Sequence, residues 1–225
     1  MSWPLPGDTS GRLRLALGYP FARSAAAFCV RGGRVESLPP DATAGREPVL
    51  AHGSNRAPAQ LARKFAGWTT PLPVSFAWLH GRDVVYAAHF ARYGAITATL
   101  APARGCRVCV AITWLTPAQR ARMDDTEGAY ACTDLDPAAL TPGDGPLPTG
   151  RVTVYQHPAP PLRWQGDPVA LAAVPACDRP YPALHQAAVQ RLARDRLAPE
   201  TPCDTFILET IADAELRRRR ADELG

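Results

Sequence analysis

The chain contains 225 residues, of which 46% are hydrophobic, so it can bury one sizeable core. Its 25 basic and 21 acidic residues give a formal net charge of +4, which excludes an acidic solvating tail as the main feature and argues only weakly for a polyanionic partner. The start of the chain lacks a basic leader with an apolar stretch, and no apolar run could span a bilayer, so we expect a cytoplasmic protein without a membrane partner.

The first third of the chain is predicted to form short strands and one helix. The expected strands cover residues 12–17, 25–30, 35–38 and 49–51. A Gly-Gly pair at residues 32–33 separates the second strand from the third and is typical of a β-hairpin turn. The fourth strand leads directly into a turn at residues 52–55, and a helix is expected after it over residues 58–65.

The remainder of the chain is predicted to mix strands with helices. Strands are expected over residues 73–79, 84–90, 95–100, 106–115, 152–155 and 169–174, and helices over residues 117–127, 181–192 and 205–224. Residues 136–150 are too rich in proline and glycine for regular structure and predict a long loop. The sequence therefore indicates a mixed α/β fold.

Six cysteines are scattered along the chain, which favours reduced thiols in a protein of this size. Cys106 and Cys109 form a CxxC pair at the start of the strand predicted over residues 106–115. Side chains three positions apart on a strand point to opposite faces, so the two sulfur atoms should diverge. We therefore expect neither a disulfide nor a zinc site there, since structural zinc needs four convergent ligands.

The helix predicted from Pro117 ends in a group of acidic residues. Thr116 and Gln119 form a capping box at its start, and its end is expected at Glu127, before Gly128. Acidic side chains at the C-terminal end of a helix face the negative pole of the helix dipole. Asp124 adds like-charge repulsion three residues before Glu127. Both effects disfavour the charged carboxylate and suit Glu127 to proton exchange, although a solvated acidic helix end would look the same in the sequence.

The turn His52-Gly53-Ser54-Asn55 lies between a buried strand and a helix. Its glycine allows the backbone to turn sharply, and successive N–H groups near a helix start can bind a carboxylate or an oxyanion. The alternative is an ordinary turn in which Ser54 or Asn55 caps the following helix.

The order of these two segments resembles the γ-glutamylcyclotransferase family. An early strand leads into Gly53-Ser54-Asn55, several strands follow, and a later helix ends in Asp-Asp-Thr-Glu-Gly at residues 124–128. In that family the early motif is typically Tyr-Gly-Ser-Asn, and an acidic helix end followed by glycine carries the catalytic acid.

The resemblance also implies a division of the chain. It covers residues 46–198, for which it implies a small mixed β-barrel flanked by helices. Residues 1–45 would then be an N-terminal strand and hairpin packed on that domain, and residues 199–225 a C-terminal helical tail.

The resemblance implies a cyclising transferase or lyase that releases 5-oxoproline from a γ-glutamyl amino acid, peptide or amine. The α-amine attacks the γ-carbonyl of the same molecule, and Glu127 matches the carboxylate that accepts and returns the proton. Residues 53–55 would bind the substrate, and His52 replaces the usual tyrosine with an imidazole expected to titrate near neutrality. Tyr181 resembles a tyrosine that lines the family's pocket. The reaction needs no metal or other cofactor.

Two alternatives compete with this interpretation. The first is a non-catalytic or small-molecule-binding member of the same fold, in which Glu127 need not face the turn. The second is a nucleic-acid-associated protein that uses the arginines at 217–220, but neighbouring acids offset them and no base-reading motif is present, so we interpret them as a solvated helix face and expect no nucleic-acid partner. The remaining histidines are predicted to be isolated surface or core residues: His80, His89, His157 and His185. The oligomeric state and the group attached to the γ-glutamyl unit stay open.

Overall fold

The structure, a computed structural model that describes residues 3–127 and 130–225, consists of short helices around one large sheet. The helices are α1 (Thr9–Leu17), α2 (Pro58–Lys64), α3 (Pro117–Thr126), α4 (Gln186–Leu197), α5 (Cys203–Ala212) and α6 (Ala214–Leu224). The strands are β1 (Phe28–Arg31), β2 (Arg34–Ser37), β3 (Glu47–Ala51), β4 (Leu72–Phe90), β5 (Ile96–Leu115), β6 (Ala131–Leu135), β7 (Leu140–Pro142), β8 (Val152–Gln156), β9 (Arg163–Trp164), β10 (Asp167–Pro168), β11 (Ala170–Leu171), β12 (Ala176–Cys177) and β13 (Ala183–Leu184). Short 3-10 turns cover Ser54–Arg56 and Pro137–Ala139.

Strands β4 and β5 form a long antiparallel pair at the centre of the sheet. The pairing register shifts between His80 and Arg82, where Gly81 has a φ of +72°, so the strands bend without separating. The four strands predicted over residues 73–79, 84–90, 95–100 and 106–115 are therefore parts of two. The prediction treated each bend as a strand end, because a glycine between apolar runs usually marks a turn.

The sheet is mixed and mostly antiparallel. Its main strand order is β13-β11-β4-β5-β3-β8-β6, with β3–β8 and β11–β13 parallel. These elements confirm the predicted mixed α/β class. Within residues 3–127 and 130–225 no ladder joins β6 back to β13, so the sheet found there is not a closed barrel.

Both faces of strand β5 are buried, one in each of two apolar clusters. Val108, Val110 and Ile112 belong to the cluster under α1, α4, α5 and α6, while Cys109 and Ala111 belong to the cluster under α2 and α3. This confirms the strand predicted over residues 106–115, whose alternate side chains point to opposite faces. Each fully buried valine or isoleucine contributes about 1.5–3 kcal/mol, so this strand is a main source of stability.

The cysteines are free thiols, and Cys106 and Cys109 are both buried in the sheet. In the described part of the chain no group of three or more histidine, cysteine, aspartate or glutamate side chains could hold a metal ion.

The segment predicted as a strand over residues 12–17 is instead helix α1. The Asp8 carboxylate caps this helix by accepting a hydrogen bond from the backbone N–H of Gly11 at 2.7 Å. Leu13 and Leu17, four residues apart, pack against the core from one face of the helix. The alternation of arginine and leucine in residues 12–17 fits the period of a strand as well as an apolar stripe on a helix. The Asp8 cap stabilises the helix.

The N-terminal segment is joined to the central sheet. Helix α1 contacts α4 and α5, and β1 pairs with both β2 and β4, so the predicted hairpin adds to the sheet edge. The domain boundaries proposed at residues 45 and 198 stay predictions.

Several C-terminal elements differ from the prediction. The helix expected from Tyr181 begins only at Gln186, because Ala183 and Leu184 pair in parallel with β11. The helix expected over residues 205–224 is two helices, since Asp213 ends α5 and its carboxylate caps α6. The predicted loop at 136–150 contains a 3-10 turn and β7, and the strand expected over 169–174 is reduced to β11. None of the helices described is both long and apolar enough to cross a membrane.

The arginine run in α6 is not wholly solvated. Arg220 is buried, donating hydrogen bonds to the Phe206 carbonyl at 2.8 Å, to Thr210 Oγ1 at 2.7 Å and to Glu209 Oε2 at 2.7 Å. The prediction of a solvated face is therefore wrong for Arg220, whose guanidinium holds α6 against α5.

Candidate functional site

A cavity of about 370 Å³ lies where the turn at 52–55, the end of α3 and the hairpin between β4 and β5 meet. Exposed residues, Arg92 and Asp125, stand at its mouth, whereas His52, Lys64 and Ala98 form buried parts of its wall. The volume is in the range of small-molecule sites.

The cavity brings Glu127 together with the turn that the sequence analysis paired with it. His52, Gly53, Ser54, Asn55 and Glu127 all line it. The side chains also touch directly, because Asn55 Nδ2 donates a hydrogen bond to Glu127 Oε1 at 3.0 Å. The predicted proximity of two segments far apart in the chain is therefore present in the structure.

The glycine at 53 is required by a close approach of Tyr19. The Tyr19 hydroxyl accepts a hydrogen bond from the backbone N–H of Ala98 at 2.8 Å, which fixes its position. A Cβ atom at position 53 would lie 2.5 Å from that oxygen. The sequence analysis attributed this glycine to a sharp turn and missed Tyr19.

Neither Ser54 nor Asn55 caps a helix. The 3-10 turn at Ser54–Arg56 has no side-chain cap, and α2 begins after Ala57 with Pro58 in its first turn. The capping alternative for this turn is therefore wrong, and both side chains face the cavity instead. Tyr93, a buried residue, also lines the cavity, and burial raises the pKa of its hydroxyl.

Glu127 lies directly after α3 and carries its carboxylate into a nearly closed environment, with 11% of its side chain exposed. Lys64 Nζ contacts the same Oε1 atom that receives the Asn55 hydrogen bond, and 7% of the lysine side chain is exposed. The Lys64 ammonium therefore places a positive charge at the C-terminal end of α3, where the sequence predicted only acidic side chains. The predicted helix stop at Gly128 lies outside the described residues.

Lys64 was missed, although the sequence held one signal for it. It is the only lysine among 25 basic residues and occupies the last position of α2, three residues after the fully buried Leu61. Helical spacing places both side chains on one face, so a cation was to be expected on the buried side of α2. Its partner, 63 residues further along, has no local signature.

Asp124 does not join Glu127 in the cavity. Its Oδ1 accepts hydrogen bonds from Arg120 Nε at 3.0 Å and from the Tyr155 hydroxyl. These contacts join Asp124 to Arg120 of α3 and to Tyr155 of β8, and Asp124 does not line the cavity. The positive charge of Arg120 reduces the repulsion expected between Asp124 and Glu127.

His52 is a neutral imidazole at physiological pH. It is buried, with 5% of its surface exposed, and this desolvation lowers its pKa to about 4. The expectation of an imidazole that titrates near neutrality is therefore wrong, because burial disfavours the charged form of the ring. His52 Nδ1 and Asn55 Oδ1 are buried atoms without a hydrogen-bond partner in the described part of the chain.

A second wall of the cavity is aromatic. His89 stacks on His157 with ring centroids 3.8 Å apart, and Tyr130 packs edge-on against both rings. Burial and the nearby His157 and Arg217 lower the pKa of His89 to about 3. The prediction that His89 and His157 are isolated is wrong, since the hairpin and the segment after β8 bring them together.

Tyr181 is not brought to this site. Its hydroxyl donates a hydrogen bond to the Pro102 carbonyl, and its ring packs against Val85, Ala101 and Ala170. The parallel pairing of β13 with β11 holds this segment against another part of the sheet.

No family model, no curated protein and no solved structure matches this chain. Function is therefore inferred from the cavity and the residues that line it.

Proposed function

We propose that this chain is a γ-glutamyl cyclotransferase-type enzyme that releases 5-oxoproline from a γ-glutamyl amino acid, peptide or amine. The supporting observation is that one cavity contains both Glu127 and the turn at 52–55, joined by the hydrogen bond from Asn55 Nδ2 to Glu127 Oε1 at 3.0 Å. We further propose that the bent sheet is a variant of the family's barrel.

In the proposed reaction the substrate's α-nitrogen attacks its own γ-carbonyl carbon. The new C–N bond closes the five-membered ring, and the bond from that carbon to the leaving nitrogen breaks. Glu127 takes a proton from the attacking amine and gives it to the leaving amine, so it ends as it began. The cavity supplies the proximity that converts a slow attack into a fast one, because it holds the substrate folded back on itself.

The turn at 52–55 would bind the substrate in this cavity. Its backbone N–H groups would hold the oxyanion that forms on the γ-carbonyl. The proposal places the reaction in the cytoplasm, with a small-molecule substrate and without nucleic acid, metal or cofactor.

The alternative, a small-molecule-binding protein without catalysis, is favoured by one contact. Lys64 Nζ touches the Glu127 carboxylate, and an ion pair of this kind can hold a carboxylate as a fixed charge for a ligand. A binder and an enzyme would then share the same cavity and differ in what Glu127 does with a proton.

Replacement of the carboxylate by an amide separates the two functions. Glu127→Gln keeps size and shape, so we expect the variant to fold and to release 5-oxoproline about 100- to 10,000-fold more slowly. Glu200→Gln is the matched control, since Glu200 is exposed in the loop before α5 and should leave the rate unchanged.

The assay is 5-oxoproline release from a panel of γ-glutamyl amino acids, peptides and amines, with a thermal melt for each variant. A folded Glu127→Gln protein that turns over its best substrate at the wild-type rate would show that Glu127 is not the proton carrier. Binding without release by the wild-type protein would establish the alternative.

A further inference from the structure

The polar contacts of Glu127 are divided unequally between its two carboxylate oxygens. Asn55 Nδ2 and Lys64 Nζ both contact Oε1, while Oε2 accepts no hydrogen bond within residues 3–127 and 130–225. Met123 Sδ lies 3.6 Å from both of these nitrogen atoms and packs beneath them. Two donors on one oxygen restrict the rotation of the carboxylate and leave the other oxygen available.

Lys64 is committed to this contact. Its side chain is 7% exposed, and Glu127 is the one carboxylate that forms an ion pair with it in the described part of the chain. A buried ammonium without a counter-charge is strongly disfavoured, so the pair holds both side chains in place. The ammonium also stabilises the ionised carboxylate, which is the form that can accept a proton.

We propose that Lys64 is a positioning residue that, together with Asn55, immobilises Oε1 of Glu127 and leaves Oε2 as the atom that exchanges the proton with the substrate. This inference rests on the proposed cyclotransferase function for one point only, namely that Glu127 exchanges a proton with the substrate. The contact between Lys64 and Glu127 does not depend on that function. Lys64 acts through Glu127 and does not itself react.

The separate effects on kcat and KM report on this role. In Lys64→Met the Glu127 carboxylate loses one of the two groups that hold Oε1, so we expect kcat to fall by about 10- to 100-fold while KM changes little. Lys64→Arg keeps a cationic donor and should restore most of the wild-type kcat.

Arg14→Met is the control for loss of a cation, since Arg14 is exposed on α1 and outside the cavity. It should leave kcat unchanged. A wild-type kcat in Lys64→Met, in a folded protein, would overturn the proposal.

A second measurement needs no activity. Because Lys64 is the only lysine, a protein labelled with ¹³C at the lysine ε-carbon gives one lysine signal. Glu127→Gln removes the carboxylate that contacts this buried ammonium, so the chemical shift of the signal should change. Glu200→Gln should leave it unchanged. This measurement also serves if Lys64→Met fails to fold.

The outcomes distinguish the two proposals. A changed lysine signal in Glu127→Gln, without 5-oxoproline release from any substrate by the wild-type protein, would support the contact but overturn the proposed function and with it the role of Oε2. An unchanged lysine signal in Glu127→Gln, with full activity in the wild-type protein, would overturn the role of Lys64 and leave the proposed function standing.

Discussion

The placement of the turn at 52–55 can be tested through Gly53, independently of any activity. A Cβ atom at this position would lie 2.5 Å from the Tyr19 hydroxyl oxygen. In Gly53→Ala the tyrosine must therefore move, and its hydroxyl can no longer accept the hydrogen bond from Ala98 N–H, which is 2.8 Å long in the wild type.

The expected cost follows from these two effects. Forcing a group into a packed core costs about 1–3 kcal/mol. Leaving the buried Ala98 N–H without its acceptor costs about 1–3 kcal/mol more. We therefore expect Gly53→Ala to lower the free energy of unfolding by roughly 2–6 kcal/mol.

Tyr19→Phe removes the clash and provides the matched background. Tyr19→Phe alone should lower the free energy of unfolding by about 1–3 kcal/mol, because the Ala98 N–H loses the hydroxyl that accepts its hydrogen bond. Once the hydroxyl is absent, the nearest atoms to the new Cβ are Ala98 Cβ and the ring carbon Cζ, both at 3.6 Å, which is ordinary contact distance. Gly53→Ala should then cost less than about 1 kcal/mol in that background.

The assay is urea unfolding of the wild type, both single variants and the double variant, which form a double-mutant cycle. We expect a coupling free energy of about 1 kcal/mol or more between positions 19 and 53. Equal destabilisation by Gly53→Ala in both backgrounds would show that Tyr19 does not approach the turn, and the arrangement of this cavity wall would be wrong.

Two further predictions concern the buried basic residues His52 and Arg220. Burial lowers the pKa of His52 to about 4, so the unfolded chain binds its proton more readily, and the stability due to this residue is present above about pH 6.5 and is lost as the pH falls toward 4. Unfolding titrations should show that wild type loses about 3 kcal/mol more than His52→Phe over this window, and equal losses would contradict a buried neutral imidazole facing Glu127 and the cavity tyrosines. Arg220→Ala should lower the free energy of unfolding by about 1.5–3 kcal/mol, because its buried acceptors lose their donor, whereas exposed Arg218→Ala should cost almost nothing. A deletion of residues 217–225 should for the same reason be destabilising, and equal effects of the two arginine variants would contradict the anchoring of α6.

The part of the site that could be predicted from the sequence is the part with local signatures. A capping box at Thr116 and Gln119 fixes the start of α3, and acidic residues mark its end. The apolar strand before His52 and the glycine after it locate the turn. The order of these segments suggested that they meet, and the structure brings them into one cavity.

The contacts that complete the cavity had no such signature. Tyr19 lies 34 residues before Gly53, just after the segment that was predicted as a strand over residues 12–17. Nothing in the residues around Tyr19 indicates that it approaches a turn so far along the chain. Tyr181 was misplaced because a proline-rich stretch with one apolar stripe suggested a helix, whereas β13 follows it and pairs with β11, Ala183 with Ala170.

The chemistry of the cavity depends on the two oxygens of Glu127. If Lys64 and Asn55 served only to fix a negative charge, the carboxylate would act on a ligand by attraction, and Glu127→Gln would weaken binding without a separate effect on turnover. If Oε2 carries a proton between two nitrogen atoms, the same variant would bind substrate and fail in the chemical step. The unequal contacts favour the second behaviour, since a carboxylate used as a fixed charge gains most when both oxygens have donors. Here Oε1 is held by two donors, whereas Oε2 accepts no hydrogen bond in the part of the chain that the structure describes.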